Sequence, residues 1–115
     1  MMSIYIASRT KHAHVWRLLR QSGTPIISSW IDRTGDDWDE LWFSCLDECT
    51  RADKFILYIE PEDGTVRGAL VELGARLGAG KRAVYVGPPE ALSSVLRHPL
   101  IHHASTLEEA LEGGL

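Results

Sequence analysis

The sequence predicts an α/β fold: a five-stranded parallel sheet with helices on both faces. Three observations lead there. Short β-branched or aromatic runs alternate with stretches of helical periodicity along the whole chain, the pattern left by parallel strands joined through helical crossovers. The 115 residues, 44% of them hydrophobic and 24% charged, suffice for one compact core and are too few for two ordinary domains. No repeat or low-complexity linker divides them, so residues 1–115 read as a single domain.

Strands are expected from Ser3 to Ala7, Thr24 to Ser29, Lys54 to Ile59, Arg82 to Val86 and Leu100 to Ala104. The first helix starts near Thr10, turns Val15, Leu18 and Leu19 to the sheet, and stops at Gly23. A second begins near Asp36 or Asp37, where Trp38, Leu41, Trp42, Cys45, Leu46 and Cys49 make an apolar stripe at helical spacing. The third follows Gly68 and buries Leu70, Leu73 and Leu77. Gly74 there allows a close approach to the sheet, and Gly78 and Gly80 end the helix. Pro88-Pro89 opens a short segment carrying Leu92, Val95 and Leu96, and Thr106 caps a final helix with Leu107 and Leu111.

For a chain this short the flavodoxin-like (Rossmann-like) order 2-1-3-4-5 fits better than the longer six-stranded dinucleotide fold. In such a sheet ligands bind beyond the carboxyl ends of the strands, where the winding reverses between the first and third. That directs attention to Ser8, Arg9 and Thr10 and to the stretch from Glu60 to Glu72.

Composition removes several function classes. A formal net charge of -4 gives no basic surface for a nucleic-acid polymer. No apolar run nears the roughly 20 residues of a membrane span, and Met1-Met2-Ser3 leads into a strand rather than a signal core, so a cytoplasmic protein is expected. Cys45 and Cys49, four apart on one helix, read as reduced thiols. They have no zinc partner nearby, and His98, His102 and His103 lack metal-ligand spacing. Neither a metal nor a cofactor is expected.

Chemistry concentrates between Asp63 and Gly74. Glu72 falls in the first turn or two of a helix just past the switch point, where the helix N-terminus favours its anion, so an ionised carboxylate is expected at neutral pH. Such a carboxylate beside a bound sugar attacks the anomeric carbon, forms a glycosyl ester and passes the sugar to water or another base. The alternative is a solvated glutamate at a helix start. Of the four tryptophans, Trp38 and Trp42 belong to the helical stripe and read as core. Trp30, after the second strand, serves either a nucleobase or packing.

The segments Ile4-Tyr5-Ile6-Ala7-Ser8-Arg9, Ser29-Trp30-Ile31-Asp32, Arg51-Ala52-Asp53, Gly68 through Gly74 and Gly80-Lys81-Arg82 together resemble the nucleoside 2-deoxyribosyltransferase superfamily. That superfamily includes 2'-deoxynucleoside 5'-monophosphate N-glycosidases and small phage and bacterial relatives. The resemblance spans nearly the whole chain in order. It implies a five-stranded parallel sheet, retaining chemistry at a glutamate, and homodimers or larger assemblies that complete one another's sites. By that resemblance Glu72 is the nucleophile and Tyr5 orients it through its hydroxyl, although Tyr5 also reads as an ordinary strand aromatic. Ser8 and Arg9 match a loop that holds a 5'-phosphate, or form a solvated loop, and Gly68, just before the nucleophile's helix, is counted with the substrate-binding residues. Ser93 and Ser94 match a phosphate contact from a neighbouring subunit, or are helix-capping serines.

One position departs from the pattern. Where the superfamily carries an Asp that handles the leaving base's proton, this chain has Cys45, which also fits the apolar stripe. Asp47 and Asp63 are the substitutes the sequence offers. The implied substrate is a nucleoside or nucleotide. The alternatives are a non-catalytic nucleotide-binding module that lost its proton-handling residue and, more remotely, an NAD-cleaving enzyme of the TIR-like kind.

Overall fold

The structure, a computed structural model, describes residues 2–33 and 38–113. Its sheet has four parallel strands, β1 (Ile4–Ala7), β2 (Lys54–Tyr58), β3 (Ala83–Val86) and β4 (Ile101–Ala104), lying side by side in chain order. The helices are α1 (Ala13–Gln21), α2 (Trp38–Arg51), α3 (Arg67–Gly78), the single-turn α4 (Pro89–Leu92) and α5 (Leu107–Glu112). Among the described residues no helix is long and apolar enough to cross a membrane. The expected start of the second helix, at Asp36 or Asp37, lies outside the described residues.

Because alternate strand residues face opposite sides of the sheet, the core divides in two. Tyr5, Ala7, Phe55, Leu57 and Tyr85 meet Cys45 and Cys49 of α2 and Ala69 and Leu73 of α3. Ile4, Ile6, Ile56, Val84 and Val86 meet Trp16 of α1 and Ala110 of α5. In β1, β2 and β3 every residue but Lys54 is therefore apolar or aromatic, as strands covered on both faces require, whereas β4 at the edge exposes His102 and His103. Lys54 is buried as well, and its ammonium donates to the carbonyls of Ala110 and Leu111 at the end of α5. Thr106 caps α5 as expected, its Oγ1 accepting from the Glu109 N–H at 3.1 Å.

The segment expected as the second strand does not become one. It makes a single parallel bridge, Ile4 to Ile26, beside β1. Pro25 has no N–H to give a ladder, and the Ile26 N–H turns back to the Thr24 carbonyl. Beyond it side chains replace the backbone: the Ile6 N–H donates to Ser28 Oγ at 2.7 Å, and Trp30 Nε1 donates to the Ile6 carbonyl at 2.8 Å.

The helical faces differ from expectation in three places. In α1 the buried residue is Trp16, edge-on to Tyr58, whereas Leu18 is exposed; the largest apolar side chain sets the rotation of the helix. In α2 the inner half of the stripe, Cys45 and Cys49, is buried, but Trp38 and Trp42 remain 62% and 38% exposed. In α3 the inward face is Ala69, Glu72, Leu73 and Arg76, and Leu70 faces outward. Gly74 is also exposed, with nothing within 4 Å of a Cβ built there, so it marks no close approach to the sheet. Arg76 is held instead by carbonyls, donating to Ala52, Cys49 and Arg82.

Candidate active site

Glu72 stands six residues into α3, beyond the first turn whose free N–H groups favour an anion. Its side chain points inward and is 7% exposed. Facing it from the sheet is Tyr5, placed by the pleat on the same side as α2 and α3, and the Tyr5 hydroxyl donates to Glu72 Oε2. Cys45 of α2 completes the group, its thiol in hydrogen-bonding reach of both. Cys49, one turn on, donates to the Glu72 carbonyl.

This environment overrides the helix-dipole argument. Burial pushes the Glu72 carboxyl from an ordinary 4.5 up to about 7, the charge of Glu48 adds to the rise, and the hydrogen bonds from Tyr5 and Cys45 oppose it. The expectation of full ionisation at neutral pH is thus corrected: near pH 7 the carboxyl is poised between its two forms. Tyr5 is driven far upward, by burial and then by the Glu72 charge. The Cys45 thiol is pushed up to about 11, burial being the main cause. Both therefore keep their protons at neutral pH and serve as donors to the carboxylate.

Above this group opens a cleft of about 120 Å³ lined by Ser8, Thr10, Trp30, Trp38, Leu41, Trp42, Cys45, Gly68, Ala69 and Glu72. Ser8, Trp30, Cys45, Gly68 and Glu72 thus come together as the sequence suggested, with Tyr5 beneath them. The tryptophans were the unread part. Periodicity separates a helix's apolar face from its polar face but does not distinguish a core wall from a cleft wall, so Trp38 and Trp42 read as core. Glu48 was also missed; its Oε1 accepts from the Ser29 N–H and hydroxyl at 3.0 Å each, fixing the turn that carries Trp30.

Other expected site residues lie elsewhere. Arg9 directs Nη1 to the carbonyls of Asp63 and Thr65 at 2.9 Å, tying the loop after β2 to the loop after β1. Asp47 is on the outer face of α2, paired with Arg51 at 2.8 Å. Asp63 is buried against His12 and Lys11. Although burial raises its carboxyl, the Glu60 N–H, His12 and Lys11 together hold it below the usual range. Neither aspartate lines the cleft. Ser93 and Ser94 are exposed in the turn after α4, Ser93 with a φ of 53°, and are likewise not part of its lining.

Two wider clefts carry less chemistry. One of about 320 Å³ opens before β2 and β3 among Arg51, Arg76, Lys81 and Arg82; Arg76 and Lys81 donate to carbonyls at the end of α2, and Arg51 pairs with Asp47. Another of about 280 Å³ lies between the loops after β2 and β3. Of these three clefts, among the described residues, the smaller one alone joins a perturbed carboxylate to aromatic walls, the combination expected of a reactive site.

Comparison with protein-family models, curated proteins and solved structures gives no match to this chain.

Proposed function

We propose that the chain is an N-glycosidase or deoxyribosyltransferase acting on a nucleoside or a (deoxy)nucleoside 5'-monophosphate, with Glu72 as its nucleophile. The observation that carries this reading is the buried hydrogen bond from Tyr5 to Glu72 at the floor of a tryptophan-lined cleft. A carboxylate so held attacks the anomeric carbon as the carbon–nitrogen bond breaks, giving a glycosyl ester and a departing base. Tyr5 donates to one oxygen, which leaves the other free to form the bond. The base must gain a proton, and Cys45 is the protonated group of the cleft beside Glu72. Water then hydrolyses the ester, or a second base takes the sugar.

Three further features support the reading. The bridge from Ile4 to Ile26 lies beside β1, where the outer strand of a flavodoxin-like order 2-1-3-4-5 belongs. Flat aromatic walls from Trp30, Trp38 and Trp42 suit a nucleobase. The cleft is smaller than the roughly 300 Å³ or more of a complete ligand pocket. Trp38, Phe43 and Val71 on α2 and α3, the two helices that line the cleft, are large apolar side chains left exposed, which supports a homodimer or larger homo-oligomer in which a second copy adds wall.

The thiol in place of a carboxylate favours one competing reading, a nucleotide-binding module without turnover. A panel of nucleosides, deoxynucleosides, their monophosphates and NAD, with and without an acceptor base, separates the two by chromatography for free base. Release from a deoxynucleoside or its monophosphate is expected. No release from any of them, with tight binding by calorimetry, rejects the enzyme in favour of the binding module.

A further inference from the structure

A second cluster of ligating side chains lies near the first, at the same end of the sheet. His12 closes a turn of 3-10 helix after β1, and Glu60 and Asp63 lie in the loop after β2. Far apart in sequence, they meet because β1 and β2 are neighbours in register. His12 Nε2 is 3.0 Å from Asp63 Oδ1, 3.1 Å from Oδ2 and 3.8 Å from Glu60 Oε1. One donor atom from each residue falls within 4.8 Å of the others. A tetrahedral ion with bonds of about 2.0–2.1 Å separates its ligands by about 3.3–3.4 Å, and the distances from His12 Nε2 to the nearest oxygens of Asp63 and Glu60, 3.0 and 3.8 Å, lie on either side of that value.

We propose that His12, Glu60 and Asp63 form a binding site for a divalent cation of the zinc class, with its fourth position open to solvent. One imidazole and two carboxylates are donors that zinc accepts. Their orientation is already set by outer contacts, as metal ligands require. The Tyr58 hydroxyl donates to Glu60 Oε2 at 2.5 Å, leaving Oε1 turned to the cluster. The Glu60 N–H donates to Asp63 Oδ2 at 2.8 Å, Arg9 fixes the Asp63 carbonyl, and the Tyr58 ring stands edge-on to His12 at 5.4 Å.

Access and charge support the same conclusion independently. Glu60 also lines the cleft of about 280 Å³, together with Glu90 and no Lys, Arg or His, so the cleft beside Glu60 is acidic and favours a cation there. Asp63 is shielded from water, and the compensating cation beside it is the Lys11 ammonium, 3.1 Å from Oδ1 on a side chain that is 49% exposed. Lys11 can withdraw into solvent without breaking the core. It therefore competes with the ion, and removing it must strengthen metal binding. A purely structural ion pair between His12 and Asp63 makes no such demand.

The test uses the full chain after chelator treatment, titrated with zinc against a chromophoric chelator while circular dichroism follows the fold. One zinc per chain is expected. Glu60→Gln and His12→Gln should each weaken binding about tenfold or more, and Lys11→Met should tighten it. Glu60 is partly exposed, so its amide variant tests the site even if the His12 variant unfolds, and a gain in Lys11→Met cannot arise from misfolding. Two results overturn the proposal: no stoichiometric zinc in either the unaltered chain or Lys11→Met, or an affinity unchanged by Glu60→Gln, which would put the ion elsewhere. Neither result depends on whether Glu72 is a nucleophile.

Discussion

Replacing Glu72 by Gln should silence the protein and, above neutral pH, make it more stable. In the folded chain burial holds the carboxyl at about 7 against 4.5 for an exposed glutamate. Between those values the folded state keeps a proton that the unfolded state has released. Stability therefore falls as pH rises from about 4.5, and the loss is complete above about 7. The interval corresponds to about 3 kcal/mol, a large part of a small domain's total of about 5–15 kcal/mol. A glutamine of the same shape carries no charge to desolvate, so Glu72→Gln lacks this slope. Part of the gain is lost because its amide fits the Tyr5 hydroxyl less well, leaving about 1–3 kcal/mol in its favour at pH 8 and little difference at pH 4.5. Urea unfolding of both proteins at the two pH values, alongside base release, measures each half. Equal stability at pH 8 would refute the burial argument, and near-normal turnover would refute the nucleophile.

The other predictions concern the groups around that carboxyl. Tyr5→Phe removes a hydrogen bond that favours the anion, so the rising limb of the pH–rate profile, set by Glu72 ionisation, should move about one pH unit or more upward; an unmoved limb would show that Tyr5 does not tune Glu72. Cys45→Ala should cost on the order of 1 kcal/mol in stability for a small cavity, and about 100-fold in base release if the thiol carries the leaving proton. Constant activity per folded molecule would exclude the thiol from that role. Trp38→Ala, at a side chain already 62% exposed, should change stability by no more than about 0.5 kcal/mol. It should raise KM about tenfold through lost stacking, and an unchanged KM would remove Trp38 from the base site.

What was legible in the sequence follows from which forces act locally. The runs around Ile4, Phe55, Val84 and Ile101 announce strands because buried β-branched and aromatic residues leave little else to form, and Thr106 announces a cap through its own chemistry. The stretch from Thr24 to Ser29 reads equally well as a strand. Whether it pairs through its backbone or through the Ser28 hydroxyl and Trp30 indole is decided by the partner across the gap. Glu72 was visible as a carboxylate on the helix that follows the strand at Lys54, but its ionisation was misjudged, since proximity to a helix start can be read from spacing and burial among Tyr5, Cys45 and Glu48 cannot. The meeting of His12 with Asp63 depends on sheet register, so no local window contains it.

The side chains that close the edge of β1 have a consequence beyond the fold. An unpaired strand edge is a template on which other chains can add. Here the N–H and carbonyl groups of Ile4 and Ile6 are taken by Pro25, Ile27, Ser28 and Trp30, so the edge is sealed against association without a full strand being present. Trp30 is then a shared component, its indole N–H sealing the edge while its ring forms part of the cleft wall. Variation there cannot adjust ligand preference alone; any smaller side chain that reshapes the cleft also reopens the edge and invites aggregation. Trp38 and Trp42 have no such double duty in the sheet, so drift in specificity is freer on α2 than at position 30.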